Sequence, residues 1–300
     1  MPDHTHRTIQ TAQNTVRAQR FLAAQSRLYT DAKHLHDARV LTVVALAIAT
    51  VIVALANPDA RTIVGTVGGA VTFFWSVLGS SREKRCRKQA VSIQEEFDTH
   101  VFGIPWNSMA AEHPSPTVIA ETATRYRGKR TKDWYPDTGP VARPLDILIC
   151  QRSNLGWGAP VHQLYAAIIA SLLVALTLAA IALAVICKLT ATDALTMLLV
   201  PLLGPARELI EMIRNNRESA EAKSKAESKV NGLWERALQH GGQLTIDDCR
   251  AVQDQILTIR LTNAHVPDWL DNLRRDRNEN LMQQSAVHLI EEAVNHGKTR

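Results

Sequence analysis

The chain has 300 residues, 46% hydrophobic and 21% charged, with a formal net charge of +5. A mean hydropathy of -0.10 resembles that of a soluble protein, but nearly all the charge lies outside four apolar stretches. Four scattered cysteines, Cys86, Cys150, Cys187 and Cys249, offer neither a disulfide framework nor zinc-ligand spacing.

Residues 1–39 read as an N-terminal cytoplasmic helix. Thr8 to Ala38 contains no Gly or Pro, and Leu28, Ala32 and Leu35 recur at helical spacing. The polar start around His4, His6 and Arg7 has no apolar region of the kind a cleavable signal needs. Residues 40–80 read as a first transmembrane hairpin, Val40–Ala56 and Thr62–Ser80, joined by Asn57-Pro58-Asp59-Ala60-Arg61. A hydrocarbon core of ~30 Å takes about 17–20 apolar residues as a helix. Gly65 and Gly69 form a small-xxx-small face. Such a face lets another helix approach closely, within the monomer as the default and between subunits as the alternative.

Residues 81–163 form a central cytoplasmic segment. The basic run Arg82–Lys88 leads to a helix over Gln89–His100, closed by Val101-Phe102-Gly103-Ile104-Pro105-Trp106. A second helix is expected over Met109–Gly128, entered through Pro114 and Pro116. Lys129 to Pro160, with Pro136, Pro140 and Pro144, reads as irregular because a helix interior rejects such breakers.

Residues 164–206 read as the second transmembrane hairpin, Leu164–Cys187 and Ala191–Ala206, joined by Lys188-Leu189-Thr190. The last stretch carries Asp193 near its start, and Pro201, Gly204 and Pro205 interrupt it. Backbone groups freed in a membrane survive only against protein or a watery cavity. Thr196, Pro201, Gly204 and Pro205 are therefore the candidate pore or gate residues; a kinked, packed helix is the plainer reading. Residues 207–300 complete the cytoplasmic part. A helix is predicted to His240, ended by Gly241-Gly242, and Thr245 with Asp248 caps another through about Leu261. Pro267-Asp268-Trp269 begins a turn, and a last helix covers about Asn278–His296.

The fold class is thus an all-α integral membrane protein of two transmembrane helical hairpins (four spans) with a cytoplasmic helical domain. Bases crowd the long segments near the span ends (Arg27, Lys33, Arg39; Arg82–Lys88; Arg207, Arg214, Arg217), whereas each short connection holds one. By the positive-inside rule both termini and the central segment are cytoplasmic and the chain is multi-pass in its membrane. A basic balance admits nucleic acid or anionic lipid as partner. Bases placed against the spans favour lipid, and no DNA or RNA binding is expected.

No nucleophile elbow, phosphate loop, dinucleotide fingerprint or metalloprotease motif occurs, so neither enzymatic activity nor a metal or other cofactor is expected. Glu95, Glu96 and Asp98 read by default as solvated or salt-bridged surface facing the nearby bases. Within the spans the polar side chains are mainly hydroxyls, which argues against proton coupling. Four spans are too few to enclose a wide channel, so conduction implies a homo-oligomer. The scarce aromatics gather in the central segment. Trp106, Trp134, Tyr135 and Trp157, with Gln151, Arg152 and Asn154, form the candidate ligand-binding set, because aromatic faces and a guanidinium suit a phosphorylated nucleobase. Core packing is the competing use of the same residues.

Longer strings carry a resemblance. They are Arg27-Leu28-Tyr29-Thr30-Asp31-Ala32-Lys33, Ile93-Gln94-Glu95-Glu96-Phe97-Asp98, Val101–Asn107 and Asp133-Trp134-Tyr135-Pro136. Cys150-Gln151-Arg152-Ser153-Asn154, Gln253-Asp254, Pro267-Asp268-Trp269, Arg277, Glu279 and Met282 follow in order. Together the chain resembles the S-4TM family, the SMODS-associating four-transmembrane pore-forming effectors of bacteria. It departs from that pattern at Gly158 and Val161-His162-Gln163, where an acidic residue and a basic pair are expected. The resemblance implies anti-phage defence: a partner nucleotidyltransferase makes a cyclic nucleotide on infection, and the effector permeabilises the membrane in an abortive response. A non-toxic membrane anchor or scaffold of a defence complex is the alternative.

Overall fold

The computed structural model describes residues 8–56, 61–156 and 158–300, without the side chains of some residues in the first hairpin and of Thr196. Among the described residues the regular structure is helical, and the one β-bridge joins Val141 to Thr299. The chain divides into two compact units. One gathers the chain up to Thr30, Cys86–His162 and Glu218–Arg300, and the other Asp31–Arg85 and Gln163–Arg217.

Helix α1 (Ile9–Gln13) is capped by Thr8, whose hydroxyl accepts from Thr11 N. Next comes α2 (Val16–Ala56), which continues without a break from the polar segment into the first apolar stretch. The linker expected at Asn57–Ala60 lies outside the described residues. Helix α3 (Arg61–Phe102) joins the second apolar stretch to the predicted Gln89–His100 helix as one element, because nothing between them breaks a helix. It ends at Gly103, whose φ of +66 is the left-handed conformation that glycine tolerates at a helix C-terminus.

Two expectations for the central segment fail. Helix α4 covers only Pro116–Thr124, not Met109–Gly128; Pro114 and Pro116 hold the chain extended before it, proline serving at the first turn. The stretch Lys129–Pro160 is not irregular throughout, since α5 (Leu145–Gly156) begins directly after Pro144. The prolines precede this helix instead of interrupting it. Leu145 through Gln151 are all buried, so the first two turns of α5 lie in the core, with Asp146 and Gln151 as its buried polar members. Ile147 and Cys150 face a cluster with Phe21, Leu22, Ile93, Phe97 and Phe102. Leu145, Leu148 and Ile149 face a second, with Val230, Trp234, Ile256 and Leu289.

Helix α6 (Ala159–Ile186) is followed by a turn in which Leu189 N donates to Ala184 O, and then by α7 (Ala191–Ala194). Thr190 is the N-cap: its Oγ1 accepts from Asp193 N, and its own proton goes to the Asp193 carboxylate at 2.7 Å. The chain winds through a π-helical turn, Leu195–Leu199, into α8 (Val200–Leu238). The expected interruption of this stretch is thus absent. Pro201, Gly204 and Pro205 lie within a continuous helix, and the wide turn before Pro201 relieves the clash its ring would make with the preceding turn.

Gly241, at φ +78, turns the chain after α8. Helix α9 (Ile246–Thr262) opens with a full capping box between Thr245 and Asp248. The last helix, α10 (Asp268–Asn295), starts ten residues before the expected Asn278, with Pro267 as its N-cap. The C-terminal tail stitches the proline loop down. Ala142 N donates to Lys298 O and Arg300 N to Pro140 O, both at 2.9 Å, and Arg300 pairs with buried Asp146 at 3.3 Å.

In the other unit, stretches within Val16–Val53 and Leu145–Ile186 are long and apolar enough to cross a membrane, with window hydropathies of 1.8 and 2.8. Only 17% and 6% of those windows are buried. A helix at the heart of a soluble protein would be mostly covered. Instead Leu41, Ile48, Ile52, Leu172, Val174, Leu178 and Ile181 present their side chains outward, apolar surface that water disfavours.

Candidate functional site

The polar chemistry of the first unit concentrates where α3 meets α9. Glu95 and Asp98, one turn apart on α3, are 2% and 0% exposed. This corrects their reading as solvated surface, and their partners are not the adjacent bases. Glu95 Oε1 lies 2.7 Å from Arg250 Nη2, and its Oε2 accepts from Gln253 Nε2 at 2.8 Å. Gln253 also donates to Asp98 Oδ2 at 2.8 Å, which takes a 2.5 Å charge-assisted bond from Arg260. Arg250, Gln253 and Arg260 recur at helical spacing on α9, a polar line within a face of Val252, Ile256 and Ile259.

Burial raises the Glu95 pKa, the Asp98 charge raises it further, and bonds from Gln253 and Arg250 oppose both. Burial alone would lower the Arg260 pKa; the Asp98 carboxylate reverses this and holds the guanidinium charged. Tyr29, half-buried and donating to Gln94 Oε1 at 2.9 Å, is pushed up to about 12, chiefly by desolvation.

Three members of the predicted ligand set join this network. The Tyr135 hydroxyl donates to Asp98 Oδ1 at 2.5 Å and accepts from Asn154 Nδ2 at 2.8 Å. Its ring packs on Phe97 and Phe102, and burial raises its pKa well above the usual phenol value. Gln151 donates to Cys249 O at 2.8 Å and to Gln253 Oε1 at 3.2 Å. These groups are held by the protein itself, so a ligand reaching them would have to displace internal bonds. Gln151 Oε1, Arg250 Nε and Arg260 Nη2 are buried without a hydrogen-bond partner. A network satisfied only in part is costly to hold together.

The others lie elsewhere. Arg152 points from α5 toward α8 and α10, donating to Asn231 Oδ1 at 2.8 Å and to Ser285 Oγ, with Glu227 at 3.4 Å. Trp106 stacks on His113 with ring centroids 4.1 Å apart, and its indole N–H donates to Ala111 O. Trp134 remains 39% exposed, its edge against the Phe97 ring. Trp157 lies outside the described residues. At the Gly158 departure a Cβ would meet only the flexible end of the Lys223 side chain, whose ammonium sits 3.1 Å from His162 Nε2. Burial lowers the Lys223 pKa from 10.5 to about 8.

The second unit holds its own ionic group. His36 and Arg39 of α2, Glu83 of α3 and Glu208 of α8 converge, with Arg39 Nη1 2.6 Å from Glu208 Oε1 and Nε 3.7 Å from Glu83 Oε2. Glu83 Oε1 is 3.5 Å from His36 Nδ1. Of the gate candidates, Pro201, Gly204 and Pro205 share α8, Thr196 lies in the π turn, and Met197 and Leu198 beside it pack on Val51, Leu183 and Ala184. Gly65 and Gly69 are helical in α3; the packing expected there falls on side-chain positions outside those described. Sequence reasoning missed both ionic groups. For the first, the signal available was Arg250, Gln253 and Arg260 falling on an otherwise apolar helix face.

The family model for the SMODS-associating 4TM effector domain matches residues 7–289. The chain belongs to this family. It is also similar to a probable CBASS effector molecule of Bacillus cereus strain VD146, at 23% identity over 76% of this chain and 82% of that protein. No solved structure matches the chain. Among the described residues of this family member, no group of three or more His, Cys, Asp or Glu is placed to hold a metal ion.

Proposed function

We propose that this chain is a membrane-permeabilising effector of a cyclic-nucleotide-linked anti-phage defence system. It crosses the bacterial inner membrane four times, keeps both termini in the cytoplasm and acts non-enzymatically as a homo-oligomer in the lipid bilayer. The effector named in the family description and the CBASS role in the relative's name support the defence reading. The apolar, outward-facing windows support insertion in lipid.

One observation carries the topology. Arg39 precedes the first apolar stretch, Glu83 follows the second and Glu208 follows the fourth, yet their side chains meet. Polar ends gathered in one ion cluster support helices that run out and back as hairpins. A bilayer then receives the apolar lengths, and the cluster rests at the cytoplasmic boundary, shielded among the helix ends.

The signal enters through the helical unit built around Asp98. A cyclic nucleotide made by a partner nucleotidyltransferase stacks on the exposed Trp134 ring, and its binding drives rearrangement of the partly satisfied network behind it through Phe97 and Tyr135. Reconstitution into dye-loaded vesicles, with and without the partner enzyme and its nucleotide substrates, tests this. Leakage only when the enzyme is active is expected. No leakage under any condition, with insertion verified, refutes permeabilisation and leaves the anchor role.

A further inference from the structure

The ion cluster of the apolar unit is built as a tie between helices. Arg39 reaches two carboxylates on two other elements, Glu83 on α3 and Glu208 on α8, and its Nη2 lies 3.4 Å from His36 Nδ1 on its own helix. The Arg39, Glu83 and Glu208 side chains are 11%, 12% and 19% exposed. Such shielding makes each attraction stronger than a surface pair and makes removal of one partner expensive. Arg39 binds Glu208 closely through Nη1, while its Nε faces Glu83 at 3.7 Å as a charge contact without a hydrogen bond; the spread guanidinium reaches both acids, whereas an ammonium is a point charge that serves one at a time.

What the tie restrains is the start of α8, where backbone bonds are missing. Pro201 and Pro205 supply no backbone N–H, so α8 lacks two of its ladder bonds near its start. The turn before it is π-helical, Leu195–Leu199, a departure from the α-helical ladder that is frequent at functional sites. Glu208 follows within one turn of Pro205. Its bond to Arg39 is the first charged anchor beyond that weak stretch.

We propose that Arg39 is the keystone of an autoinhibitory latch. It fastens the start of α8 to α2 and α3, and the bundle opens when Glu208 leaves Arg39. The permeabilising consequence rests on the function proposed above, but the latch itself is a property of the fold and is tested separately.

The test is hydrogen exchange on the full-length protein in lipid nanodiscs, following amides of Leu195–Met212. Arg39→Met should raise exchange there by about tenfold or more, as expected when a shielded pair loses one partner. Arg39→Lys should fall between parent and Arg39→Met. Glu208→Gln, which leaves no added unpaired charge on α8, repeats the measurement should Arg39→Met fail to assemble. Unchanged exchange in Glu208→Gln and in whichever Arg39 variants assemble overturns the latch. Faster exchange confined to these amides supports it. Signal-free vesicle leakage by the same variants then reports on the function: faster exchange without leakage keeps the latch and removes the pore.

Discussion

Replacing Asp98 by alanine is the sharpest perturbation of the buried network. Asp98 is fully buried and binds Arg260, Gln253 and the Tyr135 hydroxyl at 2.5, 2.8 and 2.5 Å. Its loss leaves the Arg260 guanidinium, whose side chain is 11% exposed, without its carboxylate. Breaking a buried pair from one side costs about 3–5 kcal/mol. The Tyr135 proton also loses its acceptor, although Asn154 still donates to the oxygen, so the two losses overlap and the total stays near 4 kcal/mol. For a unit of this size that lowers Tm by about 8–16 °C. The assay uses the chain's own thiols. Cys150 and Cys249 are buried whereas Cys187 is exposed and Cys86 half-buried. With Cys86 and Cys187 changed to serine, a thiol-reactive dye reports unfolding of the helical unit during a thermal ramp. Adding Arg260→Met to Asp98→Leu should recover most of the loss, since both charges then leave together. A drop below about 3 °C for Asp98→Ala, or a double variant no better than the single, would refute the account.

Other outcomes follow from single contacts. Lys223→Met should raise stability at pH 7 by about 1–2 kcal/mol, read by the same thiol assay, because it removes a desolvated ammonium. Its folded pKa of about 8 lies below the ordinary 10.5, so the parent gains stability as pH rises between those values and the advantage of Lys223→Met should shrink across that window; a constant advantage would contradict the assignment. Thr245→Ala removes the capping-box hydroxyl that accepts from Asp248 N and should cost about 1 kcal/mol in denaturant midpoint. Trp134→Ala should weaken the response to the nucleotide signal in the vesicle assay while shifting Tm little. Tyr135→Phe should do the opposite, lowering Tm because the Asp98 and Asn154 bonds vanish.

Much of the helical plan is readable in the chain. An unbroken run without Gly or Pro made α2 foreseeable from the polar segment into the apolar stretch, Gly241 marked the turn after α8, and Thr245 with Asp248 announced α9. These are local signals: periodicity, caps and left-handed glycines act within a few residues. The misplaced helices fail for an equally local reason. Prolines at 136, 140 and 144 were weighed as breakers of a segment, although Pro144 stands at the gate of a helix that it permits. Likewise Pro201 and Pro205 are accommodated by a π turn that no residue pattern announces.

The two ionic groups lay beyond such reading. Glu95 and Asp98 sit beside a basic run in sequence, and their true partners are Arg250, Gln253 and Arg260, more than 150 residues away. Tyr135, Gln151 and Asn154 were visible as a polar and aromatic set, but not as groups already engaged with the protein. Arg39, Glu83 and Glu208 gave no hint of one another. By itself the sequence determined where helices are made and which lengths of them shun water, because propensity and transfer free energy accumulate along neighbouring residues. Tertiary structure alone decided which charges meet, since a carboxylate withdrawn from water is stable only beside the particular donors that folding delivers from elsewhere in the chain.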